Sequence, residues 1–212
     1  NIETPGEKNL AKLSNTKHYI TDIIEPIKLI SKLTGKGQRY EGVKQTTQFI
    51  VGAAGESDNE IVKYTAGLYE RLKMHRVYFS AYQRGLGDEN MPGEQRIVQN
   101  PEEIFTREHR LYQVDFLFRK YGFTEQDVFF DANGNLSMEA DPKEIWASRH
   151  PEAFPVNVNR ATKFELLKVP GLGPITVERI LNQRQQGRIN RIEELGRPNA
   201  RLRKAEKYVV FC

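Results

Sequence analysis

The sequence predicts an α/β protein whose C-terminal part is all helical. Between Asn1 and Tyr82, β-rich runs alternate with stretches of helical periodicity, the order expected of parallel strands joined by right-handed crossovers. Beyond about residue 150 the strands give way to two helical patterns flanking a Gly-x-Gly turn. Charge separates the same two regions. The 212 residues carry a formal net charge of +4, yet His150 to Cys212 holds 12 Lys+Arg against 6 Asp+Glu, while the remainder holds 20 against 22. The basic surplus therefore lies in the tail, where it suits either a module facing a polyanion or a solvated basic surface.

Residues 1–4 read as the end of a strand broken by Pro5 and Gly6, with a short helix from Glu7 to Leu13. Ile20, Ile23, Ile24, Ile27, Ile30 and Leu33 recur at helical spacing, Pro26 is tolerable in the first turn, and Gly35-Lys36-Gly37 ends the helix. Thr46 to Val51 is a strand running into the turn Gly52-Ala53-Ala54-Gly55. Ser57 or Asp58 caps the next helix, with Ile61, Thr65, Leu68 and Leu72 inward, and Arg76 to Tyr82 is another strand. Three strands do not close a barrel; either more lie upstream or the sheet is small and open. Gly85 to Pro101 reads as loop, Arg107 to Tyr121 as a helix with Leu111, Val114, Phe118 and Tyr121 on one stripe, and Val128 to Leu136 as a short strand or turn. Pro142 to Arg149 is a brief helix containing Trp146, and His150 to Pro155 a joint.

The lone cysteine, Cys212, excludes an intrachain disulfide and any Cys-rich metal or cluster site built from this chain. No apolar run approaches the roughly 20 residues of a membrane span, and nothing resembles a signal peptide, so a cytoplasmic location and no membrane partner are expected. The chain opens Asn-Ile-Glu-Thr without Met, as a piece of something longer would.

In the tail, Thr162 is a plausible N-cap and Glu165, three residues on, completes a capping box. Leu166 and Val169 face inward on the first helix, and Val177, Ile180 and Leu181 on the second. Between the helices lies Gly171-Leu172-Gly173. Glycine accepts positive φ and admits a phosphate close to the backbone, and the following helix N-terminus offers unpaired N–H groups. Residues 156 to about 190 resemble the helix-hairpin-helix family, with an apolar-x-Gly-apolar-Gly core and the Val-Asn-Val-Asn-x-Ala lead-in of DNA-uptake-type versions. The resemblance implies contacts to the DNA phosphate backbone, with no base readout, from the N–H groups of Leu172, Gly173 and Ile175. Gly171 shapes the turn, and Lys168, Arg179 and Arg184 are candidates for added charge. Residues 192–209 look like a second, degenerate hairpin that lacks Gly-x-Gly.

The body carries a second resemblance. Gln48 to Glu56 resembles the Ile-Val-Gly-x-x-Gly-Glu strand of radical S-adenosylmethionine (SAM) barrels, and Asn1-Ile2-Glu3-Thr4 the preceding Asn-x-Asp/Glu-Thr strand. Tyr78 to Tyr82 fits their last barrel strand. Arg107-Glu108-His109-Arg110-Leu111-Tyr112 and Asp141-Pro142-Lys143 extend the likeness to radical SAM proteins of DNA modification and repair, which end in a helix-hairpin-helix. The likeness spans this chain but only the C-terminal half of such a protein. It implies half of a TIM-like barrel followed by an all-α helix-hairpin-helix domain. The expected division is 1–95 for the barrel half, 96–149 for a connecting helical segment and 150–212 for the hairpin domain. It further implies that Asn1 and Glu3 contact ribose or the methionine amine, and that Ile50, Gly52 and Tyr78 line adenine. Its cofactors are SAM and a 4Fe–4S cluster, and its partners the N-terminal half and a protein resembling uracil-DNA glycosylase. The cluster needs a Cys-x-x-x-Cys-x-x-Cys loop, so no cofactor is expected in this chain.

Other patterns are weaker. Asp131-Ala-Asn133-Gly134-Asn135 hints at a calcium loop, but its glycine falls one place early and Pro142 stands where the closing Glu belongs, so it reads as a turn. His18, His75, His109 and His150 have no ligand spacing, and Tyr64, Tyr69, Tyr78 and Tyr82 fit core packing better than base stacking. Two rivals remain for function: a free-standing binding or uptake module without catalytic ancestry, and a helix-hairpin-helix glycosylase. The second needs an Asp roughly twenty residues past the hairpin, where only Glu193 and Glu194 stand near.

Overall fold

A computed structural model describes residues 1–85, 88–95 and 101–212. The chain forms two compact units, residues 1–115 with 130–139, and residues 116–129 with 140–212.

The first unit begins with α1 (Gly6–Leu10), then a π-helical turn, Tyr19–Ile24, that runs directly into α2 (Glu25–Leu33). The predicted apolar stripe of this helix is only partly covered: Ile23 and Ile27 are buried, while Ile20, Ile30 and Leu33 stay exposed. Strand β1 (Thr46–Val51), helix α3 (Asp58–Leu72) and strand β2 (Arg76–Ala81) come next, and β1 and β2 pair in parallel from Thr46↔Arg76 to Val51↔Ala81. Ser57 and Glu60 form a reciprocal capping box that starts α3. Alternation along both strands buries Thr47, Phe49, Val51, Val77, Phe79 and Ala81 and leaves Gln48, Ile50, Tyr78 and Ser80 more open on the opposite face. The short helix α4 (Pro92–Gln95) and the long α5 (Pro101–Phe116) complete this part. The latter starts six residues before the expected Arg107. Of the loop expected over 85–101, residues 86–87 and 96–100 lie outside the described residues.

The sheet is smaller than half a barrel. Among the described residues it holds β1 and β2, and the expected first strand is reduced to one parallel bridge, Glu3↔Phe49. A positive φ of 66° at Glu3 turns the backbone out of the extended region there, ending the pairing. The far edge of β2 is closed by side chains. The Val77 N–H donates to Tyr69 Oη (2.9 Å), the Phe79 N–H to Tyr112 Oη (3.1 Å), and the Ala81 N–H to a Glu108 carboxylate oxygen (2.7 Å). Tyr112 returns a hydrogen bond to the Phe79 carbonyl at 2.9 Å. A further strand could pair there only by displacing three side chains.

A buried ion pair ties the unit together. Arg107 Nε meets Asp58 Oδ1 at 2.5 Å, Arg107 Nη2 donates to the Glu56 carbonyl at 2.7 Å, and the Leu136 N–H donates to Asp58 Oδ2 at 2.9 Å. One carboxylate thus joins the start of α3, the helix α5 and the segment around Leu136. That segment is a turn rather than a strand. Asp131 Oδ1 accepts from the N–H groups of Asn133 and Asn135, so its carboxylate stabilises the turn. No group of three or more His, Cys, Asp or Glu suited to a metal ion occurs among the described residues.

The second unit comprises a π-helical turn (Leu117–Tyr121), a 3-10 turn (Glu125–Asp127), α6 (Pro142–Arg149), β3 (Val156–Asn157), α7 (Lys163–Lys168), α8 (Pro174–Gln186), a 3-10 turn (Ile192–Leu195), α9 (Ala200–Glu206) and β4 (Val209–Val210). Asp141 caps α6 through the N–H groups of Lys143 and Glu144. Strands β3 and β4 pair in parallel, so the Val-Asn-Val-Asn lead-in closes against the C-terminal strand. Asn159 clamps the far end of α8, accepting from the Ile189 N–H (3.0 Å) and donating to its carbonyl (2.9 Å). Among the described residues, no helix is long and apolar enough to cross a membrane.

Replacing Arg107 by Met leaves Asp58 buried without its counter-charge. Loss of one partner of a buried pair costs about 3–5 kcal/mol. The expected outcome is a fall of that order in unfolding free energy, read by urea denaturation.

Candidate nucleic-acid interface

The hairpin between α7 and α8 is built as the sequence suggests. Thr162 and Glu165 form the capping box that starts α7, and Leu166, Val169, Leu172, Val177 and Ile180 are all buried in the core of the unit. The two glycines, however, do different jobs. Gly171 has φ +88°, and a Cβ there would lie 2.1 Å from the Arg201 carbonyl oxygen and 3.0 Å from the Ala205 nitrogen. It is glycine because the backbone of α9 packs onto it, not to make room for a ligand. Gly173 has φ −111°, which any residue adopts, and a Cβ there would meet only Tyr121 Oη at 3.5 Å.

The expected backbone donors also divide. The Leu172 N–H turns inward to the Val169 carbonyl (3.1 Å), so it is not offered outward, and the side chain is buried. The first helical hydrogen bond of α8 runs from Val177 N–H to the Gly173 carbonyl (2.9 Å), and Gly173 as N-cap supplies no side chain. The N–H groups of Gly173, Ile175 and Thr176 consequently have no partner in the chain among the described residues. Pro174, at the first helical position, has no N–H to satisfy. Thr176 was missed in the sequence; counting three residues on from the N-cap would have found it. The Ile175 side chain is 80% exposed at the same corner.

The candidate cations are largely engaged in holding the unit. Arg179 Nη1 donates to the Leu195 carbonyl (2.8 Å), tying α8 to the second hairpin. Arg184 Nη1 donates to the Ala161 carbonyl (2.6 Å), anchoring the start of α7. Lys168 packs its ammonium over the Trp146 ring at 4.5 Å. Each was expected as added charge beside the phosphate, and each also makes a contact within the unit, with Arg179 still exposed.

Other residues border the hairpin. Tyr121 sets its hydroxyl beside Gly173; burial raises its pKa, against the pull of Arg201 on α9. Lys143, on α6, is buried, donates to the Leu172 carbonyl at 2.6 Å and lies over the Tyr121 ring at 4.6 Å. Burial pushes its ammonium down to about 7, against the opposing pull of Asp141. In the sequence Lys143 figures only within the Asp-Pro-Lys likeness, with no signal for this contact, which spans 29 residues.

The degenerate hairpin closes its own helix. Asn199 Oδ1 accepts from the N–H groups of Arg201 (2.9 Å) and Leu202 (3.1 Å), occupying the donors an anion would use. In the body, Ile50 and Tyr78 share the more open face of the sheet, whereas Asn1 and Glu3 flank the buried Ile2. The Gly52 turn is closed from within. Glu56 accepts from the N–H groups of Gly52 (2.5 Å) and Ala54 (3.0 Å), and Lys12 and Gly93 donate to the carbonyls of Ala54 and Ala53.

Residues 152–199 match the helix-hairpin-helix motif family. Searches of curated proteins and of solved structures give no match.

The two glycines should respond oppositely to substitution. Gly171→Ala should destabilise the second unit by more than about 1 kcal/mol, since the clash is with backbone and φ is positive. Gly173→Ala should cost no more than about 1 kcal/mol, the ordinary loss when alanine stands at an N-cap. Calorimetry on the two variants separates the roles. Lys143 gives a further expectation. Its folded pKa lies below the unfolded value of 10.5, so the unfolded chain holds the extra proton between about pH 7 and 10. Stability of the second unit should therefore rise with pH through that window, and Lys143→Met should flatten the rise in urea midpoints.

Proposed function

We propose that the chain binds DNA through the α7–α8 hairpin, gripping the phosphate backbone without reading base sequence. The observation that carries this is the open N-terminus of α8. Three N–H groups of this turn, at Gly173, Ile175 and Thr176, lack partners among the described residues, within a segment that matches the helix-hairpin-helix motif. A helix start without a side-chain cap offers an anion both hydrogen-bond donors and the positive end of the helix dipole. The tail's excess of Lys and Arg adds sequence-independent attraction. Backbone donors carry no base information, so specificity for sequence is not expected.

We further propose that the body descends from the C-terminal half of a radical SAM-like DNA modification or repair protein. This reading is supported by the parallel alignment of residue 3, β1 and β2, and by Ile50 and Tyr78 sharing one open face. One cysteine, Cys212, does not fit a cluster that takes three thiolates. No step is therefore assigned to SAM or to a 4Fe–4S cluster on this chain. An N-terminal half, or a partner resembling uracil-DNA glycosylase, belongs to the same proposal.

A single substitution tests the hairpin. Gly173→Asp supplies a side-chain cap whose carboxylate takes the open N–H groups, as Asn199 does on α9. It should leave helix stability unchanged or raised by a few tenths of a kcal/mol. Duplex binding by wild type should fall with salt at a log–log slope of roughly −2 to −4, and the variant should lose most of that affinity. Fluorescence anisotropy with unrelated duplexes reads both. A folded Gly173→Asp protein that binds as wild type does would show that the hairpin is structural and would favour a protein-interaction role.

A further inference from the structure

We infer that Lys143 is a positioning residue for the phosphate site: its ammonium polarises the Leu172–Gly173 peptide and so strengthens the Gly173 N–H as a donor. This rests on the hairpin being the phosphate-binding element. The geometry is direct. The Leu172 carbonyl and the Gly173 N–H belong to one peptide group, and Lys143 Nζ donates to that carbonyl at 2.6 Å. A charge on the oxygen draws electron density away from the nitrogen, and hydrogen bonds chained through one group strengthen each other. In a trans peptide the carbonyl and the N–H point in opposite directions, so Lys143 and an anion on the Gly173 N–H would lie on opposite sides of the Leu172–Gly173 peptide. Lys143 therefore acts on an anion through the backbone without touching it.

Burial gives the charge its leverage. Lys143 is 7% exposed, so its field is little screened by water. Few groups face it. Asp141 caps its own helix, Tyr121 offers its ring at 4.6 Å from the π-helical turn, and the Leu172 carbonyl comes from the hairpin. On α9, Arg201 acts on Tyr121, and Lys204 is bonded to Glu144 of α6. A buried amine is also an improbable choice for a mere strut, because a neutral donor would satisfy the carbonyl without the desolvation cost. With the ammonium pushed down to about 7, its protonation changes near neutral pH. A phosphate on the Gly173 N–H and a proton on Lys143 then favour each other, and the coupling is reciprocal.

The test has an arm without DNA and an arm with it. In the free wild-type chain, the Gly173 amide proton should titrate in NMR spectra near neutral pH, moving upfield as Lys143 loses its proton. In Lys143→Met that titration should vanish. His150 stacks on Trp146 of the same helix at 4.3 Å, so His150→Gln is the control and should keep it. With an unrelated duplex of about twenty base pairs, wild-type affinity should fall from about pH 6 to about pH 8.5 by about fivefold or more, the low end of ordinary coupling between sites. Lys143→Met should bind at the weaker level at both. Should that variant not fold, the amide titration in wild type and in His150→Gln still decides. A chain that binds duplex while the Gly173 amide and the affinity ignore Lys143 overturns this inference alone. A wild-type chain that binds no duplex at either pH overturns the nucleic-acid reading, and the positioning role with it.

Discussion

The second unit turns on the contact between Gly171 and the backbone of α9. The Arg201 carbonyl stands so close to Gly171 that only a hydrogen fits between them. Because the hairpin is seated on α9 at that point, Leu172 is driven into the core and its N–H into the turn. Gly173 and the first residues of α8 then face outward, with N–H groups that have no internal acceptor among the described residues. The open start of α8 is thus a consequence of packing on the opposite side of the same turn.

The two hairpins of the unit show the chemical difference between an open and a closed helix start. Gly173 has no side chain to offer, and α8 keeps its donors. Asn199 folds its amide oxygen over the first turn of α9, where it takes the N–H groups of both Arg201 and Leu202. Positive charge shows a similar division of labour. Arg179 and Arg184 direct guanidinium N–H groups to main-chain carbonyls, and Lys168 lies on the aromatic cluster around Trp146. These three cations thus also serve the packing of the unit.

In the body, unfilled backbone groups are met by side chains rather than by more sheet. Tyr69, Tyr112 and Glu108 close the outer edge of β2, and Glu56 closes the glycine turn after β1. Each places a polar side chain where a neighbouring strand or a ligand would otherwise donate or accept. The arrangement ends the sheet at β2, while among the described residues the opposite edge carries the single bridge at Glu3. It leaves the face bearing Ile50 and Tyr78 as the more open side of the sheet.

Local signals were legible in the sequence. The Ser57 cap and the Thr162 capping box marked two helix starts, and Asp131 declared a turn, because each depends on neighbours within a few residues; Tyr78, read as core, lies exposed instead, because the alternation of β2 turns it to the open face. The apolar pattern likewise placed Leu166, Val177 and Ile180 in the core. What the sequence could not separate was the role of two glycines two residues apart, since the atoms that distinguish them, at Arg201, Ala205 and Tyr121, are thirty or more residues away along the chain. The same holds for Lys143, whose meaning depends on a carbonyl 29 residues on, and for Arg179 and Arg184, whose carbonyl acceptors lie 16 and 23 residues away. Composition and periodicity determine which elements form and which face is apolar; which donors remain open is decided only when distant backbone is brought within hydrogen-bonding distance.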